Sequence, residues 1–255
     1  MSLEKAIKKT VDYAAKFRSH INKKEIEQRL ISKNIFSRKK IEKTLDTIGF
    51  KNKKNKWKQL KIKKAQDLAE LLAKKFKNIL MIGITGSVAS GHPKKNDDID
   101  LMIITRSDTL WKTRLELRWW IYKNKIPHRT FGKKEMPDQF CFNLWLDEKS
   151  LKLPEDKQNL QNAVDLVLLK TLINKNKIYE KFIRENSWAK KFVATGYFKL
   201  VNRSSIIDRR ENKNFILDEV INWCYFWPQY WYMKGKIYQE KVGLHQAFFH
   251  RPMIK

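Results

Sequence analysis

The sequence of 255 residues is 42% hydrophobic, so it can bury a core and is not an intrinsically disordered chain. Its 55 Lys and Arg residues outnumber its 27 Asp and Glu residues, and the formal net charge of +28 favours polyanionic partners: nucleic acid, nucleotides or acidic lipid surfaces. The alternative is compositional bias, because lysine far outnumbers arginine, and asparagine and isoleucine are also abundant.

The positive charge is concentrated at one end of the sequence. Residues 1–75 hold 23 Lys or Arg residues and 8 Asp or Glu residues. More than half of the net charge therefore lies in less than a third of the chain, which favours a dedicated basic module over uniform bias.

Cysteine usage and hydropathy point to the cytoplasm. Cys141 and Cys224 stand in apolar sequence without metal-binding spacing, which predicts buried, reduced thiols. The N-terminal sequence shows no signal peptide, and no run of about 18 apolar residues predicts a spanning helix. We therefore expect a cytoplasmic protein with no membrane partner.

The first 60 residues predict three short helices and a hairpin. Residues 3–17 have helical apolar spacing, and Asn22 and Ser37 are cap signals for two further helices. The polar stretch over 50–57 predicts a β-hairpin, and the whole resembles a winged helix-turn-helix. A helical cap with a solvated basic face is the alternative. The residues predicted to contact phosphates are Arg38, Lys39, Lys40 and Lys43 on the third helix, and Lys51, Lys53, Lys54, Lys56 and Lys58 on the hairpin.

The middle of the sequence predicts a small α/β core of about 75 residues. Apolar spacing predicts helices over 61–77 and 109–125. Apolar runs over 78–85 and 98–105 predict two buried strands, and alternation over 139–147 predicts a third.

The remaining sequence has helical spacing. It predicts helices over 156–173, 177–193 and 215–243, the last kinked at Pro228. The aromatic segment 222–233 favours a helical core over a base-stacking or membrane surface, because three of its tryptophans recur every four residues: Trp223, Trp227 and Trp231.

Two carboxylates share one face of the second predicted strand. Asp98 and Asp100 project together, whereas Ile99 and Leu101 enter the core. Two like charges this close repel and raise each other's pKa, so the arrangement favours a divalent cation between them. Mg²⁺ accepts carboxylate oxygens and keeps positions for phosphate oxygens, which predicts a site for a nucleoside triphosphate.

The loop before this strand has the complementary chemistry. Gly86 permits close approach of the backbone to a phosphate, and Ser87 adds a hydroxyl donor at the start of a helical turn. Lys94 and Lys95 lie in the following loop and are available to the triphosphate.

Gly86-Ser87, a ten-residue spacer and Asp98-Ile-Asp100-Leu resemble the signature of the DNA polymerase beta-like nucleotidyltransferase superfamily. The basic front and helical tail are also similar to bacterial nucleotidyltransferase-domain proteins of this layout. The resemblance implies an α+β fold, a small mixed-sheet palm flanked by an N-terminal winged-helix-like module and a C-terminal helical region. The expected domains are 1–60, 61–150 and 151–255.

The resemblance also implies an activity. It is Mg²⁺-dependent transfer of a nucleoside monophosphate from an NTP to a hydroxyl acceptor, for which the charge favours nucleic acid. Two Mg²⁺ ions would be held by Asp98 and Asp100, and Gly86, Ser87, Lys94 and Lys95 would bind the nucleotide.

Members of this superfamily usually have a third carboxylate on a later strand, and here two residues compete for its position. Asp147 is the catalytic candidate, but it ends the third predicted strand, whereas Asn143 is more central. An amide is a poor base and a weak Mg²⁺ ligand. If Asn143 takes the position, the alternative is a catalytically silent protein that binds nucleic acid or a regulatory partner.

A transferase for cationic drugs is disfavoured in so basic a chain.

The predicted helix over 109–125 carries Arg114 and Arg118 on one face. These arginines either contact the triphosphate or the acceptor, or form a solvated surface. Sequence leaves open the acceptor, the preferred NTP, the oligomeric state and the pathway.

Overall fold

The computed structural model describes residues 1–17, 19, 21–50, 55–130, 136–203, 216–235, 237 and 240–249. Within these residues, helices surround one mixed sheet, which confirms the predicted α+β class. The strands are β1 (Ile79–Ile84), β2 (Ile99–Thr105), β3 (Phe140–Asp147), β4 (Lys170–Asn174), β5 (Lys241–Val242) and β6 (Gln246–Phe248).

The helices precede the sheet, connect its strands and cover both of its faces. They are α1 (Leu3–Lys16), α2 (Lys23–Gln28), α3 (Arg38–Thr47), α4 (Lys56–Lys75), α5 (Gly86–Ala89), α6 (Leu110–Lys123), α7 (Leu160–Leu168), α8 (Ile178–Glu185), α9 (Lys190–Arg203) and α10 (Ile216–Lys234).

The strand order is β4-β1-β2-β3-β6-β5. β2 runs antiparallel to β1 and parallel to β3, and α6 makes the crossover that a parallel pair requires. In this register Asp100 is opposite Cys141, whereas Thr105 is opposite Asp147. The two ends of the β2–β3 pair are therefore separate places, about 20 Å apart at 3.3 Å per residue.

The two faces of the sheet bury different helices. Leu101 and Ile103 belong to a core cluster shared with α4, α6 and Met233 of α10. Met102 and Ile104 belong to the cluster shared with α7, α8 and α9. Because side chains alternate along a strand, Asp100 lies on the face of α7 to α9.

The three helices predicted at the N-terminus are present as α1, α2 and α3, and they share a small core cluster. Ser37 caps α3 through the Lys40 N–H, and Asn22 forms a capping box with Glu25. The boundary predicted at residue 60 falls inside α4.

The predicted hairpin is wrong for residues 56–58. Asn55 Oδ1 accepts the N–H groups of Trp57 at 2.9 Å and Lys58 at 3.1 Å, so this stretch begins α4 instead. The rest of the hairpin, with Lys51, Lys53 and Lys54, lies outside the described residues. The winged-helix module stays a prediction.

The helix predicted over 156–173 is wrong at its end. α7 ends at Leu168, and Lys170–Asn174 forms β4 beside β1. A continuous apolar run does not distinguish a buried helix from a strand. Here the segment forms a strand because it pairs with the free edge of β1.

The C-terminal prediction also needs two corrections. α10 ends at Lys234, and part of the sequence predicted as helix forms β5. Trp223 and Trp231 are 53% and 62% exposed, so the core prediction is wrong for them. No helix in the described ranges is both long and apolar enough to cross a bilayer.

Candidate active site

The turn from β1 into α5 lies directly against Asp100. Gly86 has a φ of +64°, and a Cβ built on it would lie 2.2 Å from Asp100 Oδ2. Only glycine therefore fits both the backbone conformation and the close approach. Ser87 follows, half-buried, as the second residue of the helical turn.

Asp98 and Asp100 are brought together, as predicted. Oxygen atoms of these two carboxylates and the Cys141 Sγ lie within 4.8 Å of one another. Asp98 is partly exposed and accepts a hydrogen bond from Arg129 Nη1 at 3.1 Å, whereas Asp100 is 8% exposed. Arg129, on the loop after α6, was missed because nothing local in the sequence marks it.

The electrostatics of this pair favour an added cation. Burial and the neighbouring Asp98 carboxylate raise the pKa of Asp100 well above its ordinary value. Burial and the two carboxylates also raise the pKa of Cys141, so its thiol stays protonated and is a weak ligand. The two carboxylates are the oxygen donors that Mg²⁺ prefers, and the residues therefore fit one divalent ion.

Asn143 reaches the pair from β3, as Cys141 does. A register shift in the β2–β3 pairing lies beside Asn143, and its Nδ2 donates to Asp100 Oδ1 at 2.7 Å. The β3 side chains beside Asp100 are thus the Cys141 thiol and the Asn143 amide, and neither is a carboxylate.

Asp147 lies at the other end of β3 and is not brought to Asp100. Its Oδ2 accepts from His245 Nδ1 at 2.8 Å and from the Asp108 N–H at 3.1 Å, and its Oδ1 accepts from the Lys149 N–H at 2.9 Å. Burial raises the pKa of Asp147, although these donors oppose the rise, and the bond to Asp147 raises the pKa of His245. The sequence signal for this structural role was that Asp147 directly precedes a short helical turn, for which aspartate is a favoured N-cap.

The loop with Lys94 and Lys95 is anchored from α4. Lys61 is fully buried and donates to the carbonyl groups of Lys95 at 3.2 Å and Asp97 at 2.6 Å. Both predicted lysines are exposed on this loop. Lys61 was missed, although it stands on the apolar stripe of α4, where a charge signals a buried partner.

The same loop is tied to the N-terminal helices through Glu25. Its carboxylate contacts His92 Nε2 and Lys58 Nζ, both at 3.0 Å. Burial would raise the pKa of Glu25, but bonds from His92, the Asn22 N–H and Lys58 lower it to about 2. Lys58, predicted to contact phosphate from a hairpin, therefore pairs with a buried acid.

The remaining predicted cations divide into two groups. Arg38, Lys39, Lys40 and Lys43 are exposed on α3, where Arg38 Nε also bonds Glu42 at 2.8 Å. Arg114 is buried against α10, on the sheet face opposite Asp100, so it does not face the pair.

Comparison with known families agrees with this geometry. A family model described as nucleotidyltransferase domain matches residues 65–201, more than half of the chain. No curated protein and no solved structure matches the chain. The matched region includes β1 and the Gly86-Ser87 turn. It also includes Asp98 just before β2, Asp100 within β2, and Asn143 on β3. The chain belongs to the nucleotidyltransferase domain family.

Proposed function

We propose that the chain is a divalent-cation-dependent nucleotidyltransferase that moves a nucleoside monophosphate from an NTP to a hydroxyl acceptor, with nucleic acid as the acceptor class. The observation that carries the proposal is the Asp98–Asp100 pair packed against the Gly86 turn. Two acids in this place are unfavourable alone and become favourable around a cation.

Each residue has a role in this proposal. Asp98 and Asp100 would hold Mg²⁺, which when bound neutralises charge on the triphosphate and on the leaving pyrophosphate. Gly86 and Ser87 would donate to phosphate oxygens, and exposed Lys94 and Lys95 would attract the triphosphate. Asn143 offers no carboxylate, so Asp98 and Asp100 are the carboxylates that would hold a second Mg²⁺ as well.

Asn143 also limits the chemistry. An amide cannot accept the proton of the attacking hydroxyl, so the proton would pass to water. A well-placed general base contributes about 10²–10⁴-fold to a rate, and we therefore propose slow transfer.

The same residue favours a second candidate function. A nucleotidyltransferase fold that binds nucleotide and nucleic acid without chemistry would tolerate an amide beside Asp100. The two functions make the same binding predictions and differ in turnover alone.

The first experiment tests turnover. The purified chain is incubated with Mg²⁺, each radiolabelled NTP, and RNA or DNA oligonucleotides, and labelled product is counted. Asp98→Asn and Asp100→Asn should abolish labelling. Asp97→Asn is the matched control, because the Asp97 side chain accepts the Lys94 N–H at 2.9 Å and an amide oxygen can replace it. Labelling that survives both test substitutions would exclude this mechanism.

The second experiment distinguishes a slow transferase from a catalytically silent fold. Asn143→Asp restores a carboxylate at the Asp100 contact and should raise the transfer rate of a slow enzyme by about 100-fold. A silent fold would still bind an NTP in equilibrium dialysis with Mg²⁺, and neither wild type nor Asn143→Asp would produce labelled product.

Substitutions on α3 test whether its basic surface binds a nucleic-acid acceptor. Lys39→Glu with Lys40→Glu should weaken oligonucleotide binding and reduce its salt dependence. Lys190→Glu with Lys191→Glu, exposed at the start of α9, is the control of equal charge change. Equal weakening by both pairs would show a general charge effect and remove α3 as the binding surface.

A further inference from the structure

A cavity of about 590 Å³ lies between α6 and α10. These helices cover the sheet face formed by Leu101 and Ile103, whereas Asp100 lies on the other face. The cavity is therefore separate from the proposed transfer site. Its volume is in the range of pockets that hold small organic ligands.

Arg114 is the buried charge of this cavity. Its side chain lines the cavity, and the residue is 6% exposed. Its Nη1 donates to Gln229 Oε1 at 2.7 Å, and its Nη2 contacts Met233 Sδ at 3.4 Å. The Phe249 ring lies 4.6 Å from the guanidinium carbon. In the part of the chain that the structure describes, no carboxylate forms an ion pair with Arg114.

The position of Gln229 is itself fixed. Its Nε2 donates to the Trp111 carbonyl at 2.8 Å and the Tyr225 carbonyl at 2.9 Å. The amide oxygen is thereby turned toward Arg114, which holds the guanidinium in place. Two contacts leave most of the five N–H donors of an arginine for other acceptors.

A buried guanidinium without an acid is unfavourable. Burial, with Arg118 one helical turn away, lowers the pKa of Arg114 to about 9. Buried charges in proteins are ordinarily paired, and an anion in the cavity would supply the missing partner. Arg118, exposed at the cavity rim, adds a second cation to the same place.

We propose that this cavity binds a small organic anion, an aromatic body whose carboxylate or phosphate group pairs with Arg114 and Arg118. Planar guanidinium groups bind both oxyanions through paired hydrogen bonds. The rest of the lining is largely apolar and includes Leu115, Tyr225 and Met233, which suits a flat ring.

Cys224 provides the measurement. The sequence predicted it to be buried, but it is exposed and lines the cavity. Its alkylation by iodoacetamide, followed by mass spectrometry, reports occupancy, and a cysteine-containing reference peptide in the same reaction reports the reactivity of the reagent. The probes are 1-naphthyl phosphate and 1-naphthoate, with neutral 1-naphthol as the control.

Either anion at millimolar concentration should slow alkylation of Cys224 at least about fivefold, with no effect on the reference peptide and none from 1-naphthol. Protection by the phosphate alone or by the carboxylate alone identifies the head group. Arg118→Gln should weaken the protecting anion about tenfold, as loss of one charged contact predicts. Arg114→Gln should abolish protection, with folding checked by circular dichroism.

Three results would overturn the proposal. They are no protection by either anion, equal protection by 1-naphthol, and protection unchanged by Arg118→Gln. The last applies even if Arg114→Gln does not fold, because Arg118 is exposed. Protection by an oligonucleotide alone would also overturn it, because the surface would then bind a polymer.

Discussion

The two ends of the β2–β3 strand pair carry similar acids in opposite situations. At one end, Asp98 and Asp100 face each other with Arg129 at the partly exposed carboxylate. At the other, Asp147 is fully buried and its oxygens accept from His245 and two backbone N–H groups. One end retains unbalanced negative charge, which the proposed function assigns to a bound cation, and the other uses a carboxylate to hold segments of the structure together.

The difference arises from what covers each end. The Gly86 turn approaches Asp100 without adding a side chain. At the far end, the β5–β6 connection brings His245 to Asp147, and Lys149 Nζ pairs with Asp108 at 2.8 Å. The position of an acidic residue along a strand therefore does not predict whether it is structural or functional. The segments that cover that end of the strand must also be known.

The largest contrast is expected in the rate of nucleotidyl transfer. Asp100→Asn should lower this rate by about 100-fold or more, because it removes one of the two carboxylates proposed to hold Mg²⁺. Asp147→Asn should leave the rate of the folded protein close to wild type. The check is single-turnover labelling at a temperature where both variants are folded, and a comparable loss in Asp147→Asn would return Asp147 to the active site.

For the free energy of unfolding, substitution of Asp147 should have the larger effect and substitution of Asp100 the smaller one. Asp147→Ala should lower the free energy of unfolding by about 3 kcal/mol, because it leaves His245, the buried Asp108 N–H and the partly buried Lys149 N–H without their acceptor. Asp100→Asn in the absence of metal should raise it, because it removes a buried like charge. Urea unfolding followed by circular dichroism measures both, and two losses of equal size would contradict the comparison.

A substitution at Gly86 tests the close approach of its turn to Asp100. Gly86→Ala should cost about 2 kcal/mol, because alanine disfavours a φ of +64° and its Cβ meets Asp100. Gly235→Ala is the control, because a Cβ there meets no atom within 4 Å. Thermal unfolding of both variants is the measurement, and an unaffected Gly86→Ala would show that the turn is not constrained.

The smallest effect is a pH dependence at the structural end. The pKa of His245 is raised by its bond to Asp147, so its contribution is complete below the unfolded value of about 6.5 and is lost as pH rises through the raised value. Burial raises the pKa of Asp147, which also lowers stability as pH rises above about 3.8. Urea unfolding at pH 6 and pH 9 should show a smaller pH difference in His245→Gln. An unchanged difference would assign it to other groups.

Local patterns were sufficient to place the Asp98–Asp100 pair and the Gly86 turn. Period-two alternation placed Asp98 and Asp100 on one face, and Gly86 with the following serine marked the turn. The helices and strands of the middle segment also followed from periodicity, whereas the α+β class was implied by the family resemblance. These features depend on neighbours in the chain, where the spacing of side chains is set by backbone geometry.

Contacts between distant segments decided the rest. The strand Lys170–Asn174, the burial of Arg114 against Gln229 and the pairing of Asp147 with His245 join residues far apart in sequence. The choice between Asn143 and Asp147 beside Asp100 likewise depended on strand register. Register and covering loops are set by packing between segments, so no local spacing encodes them.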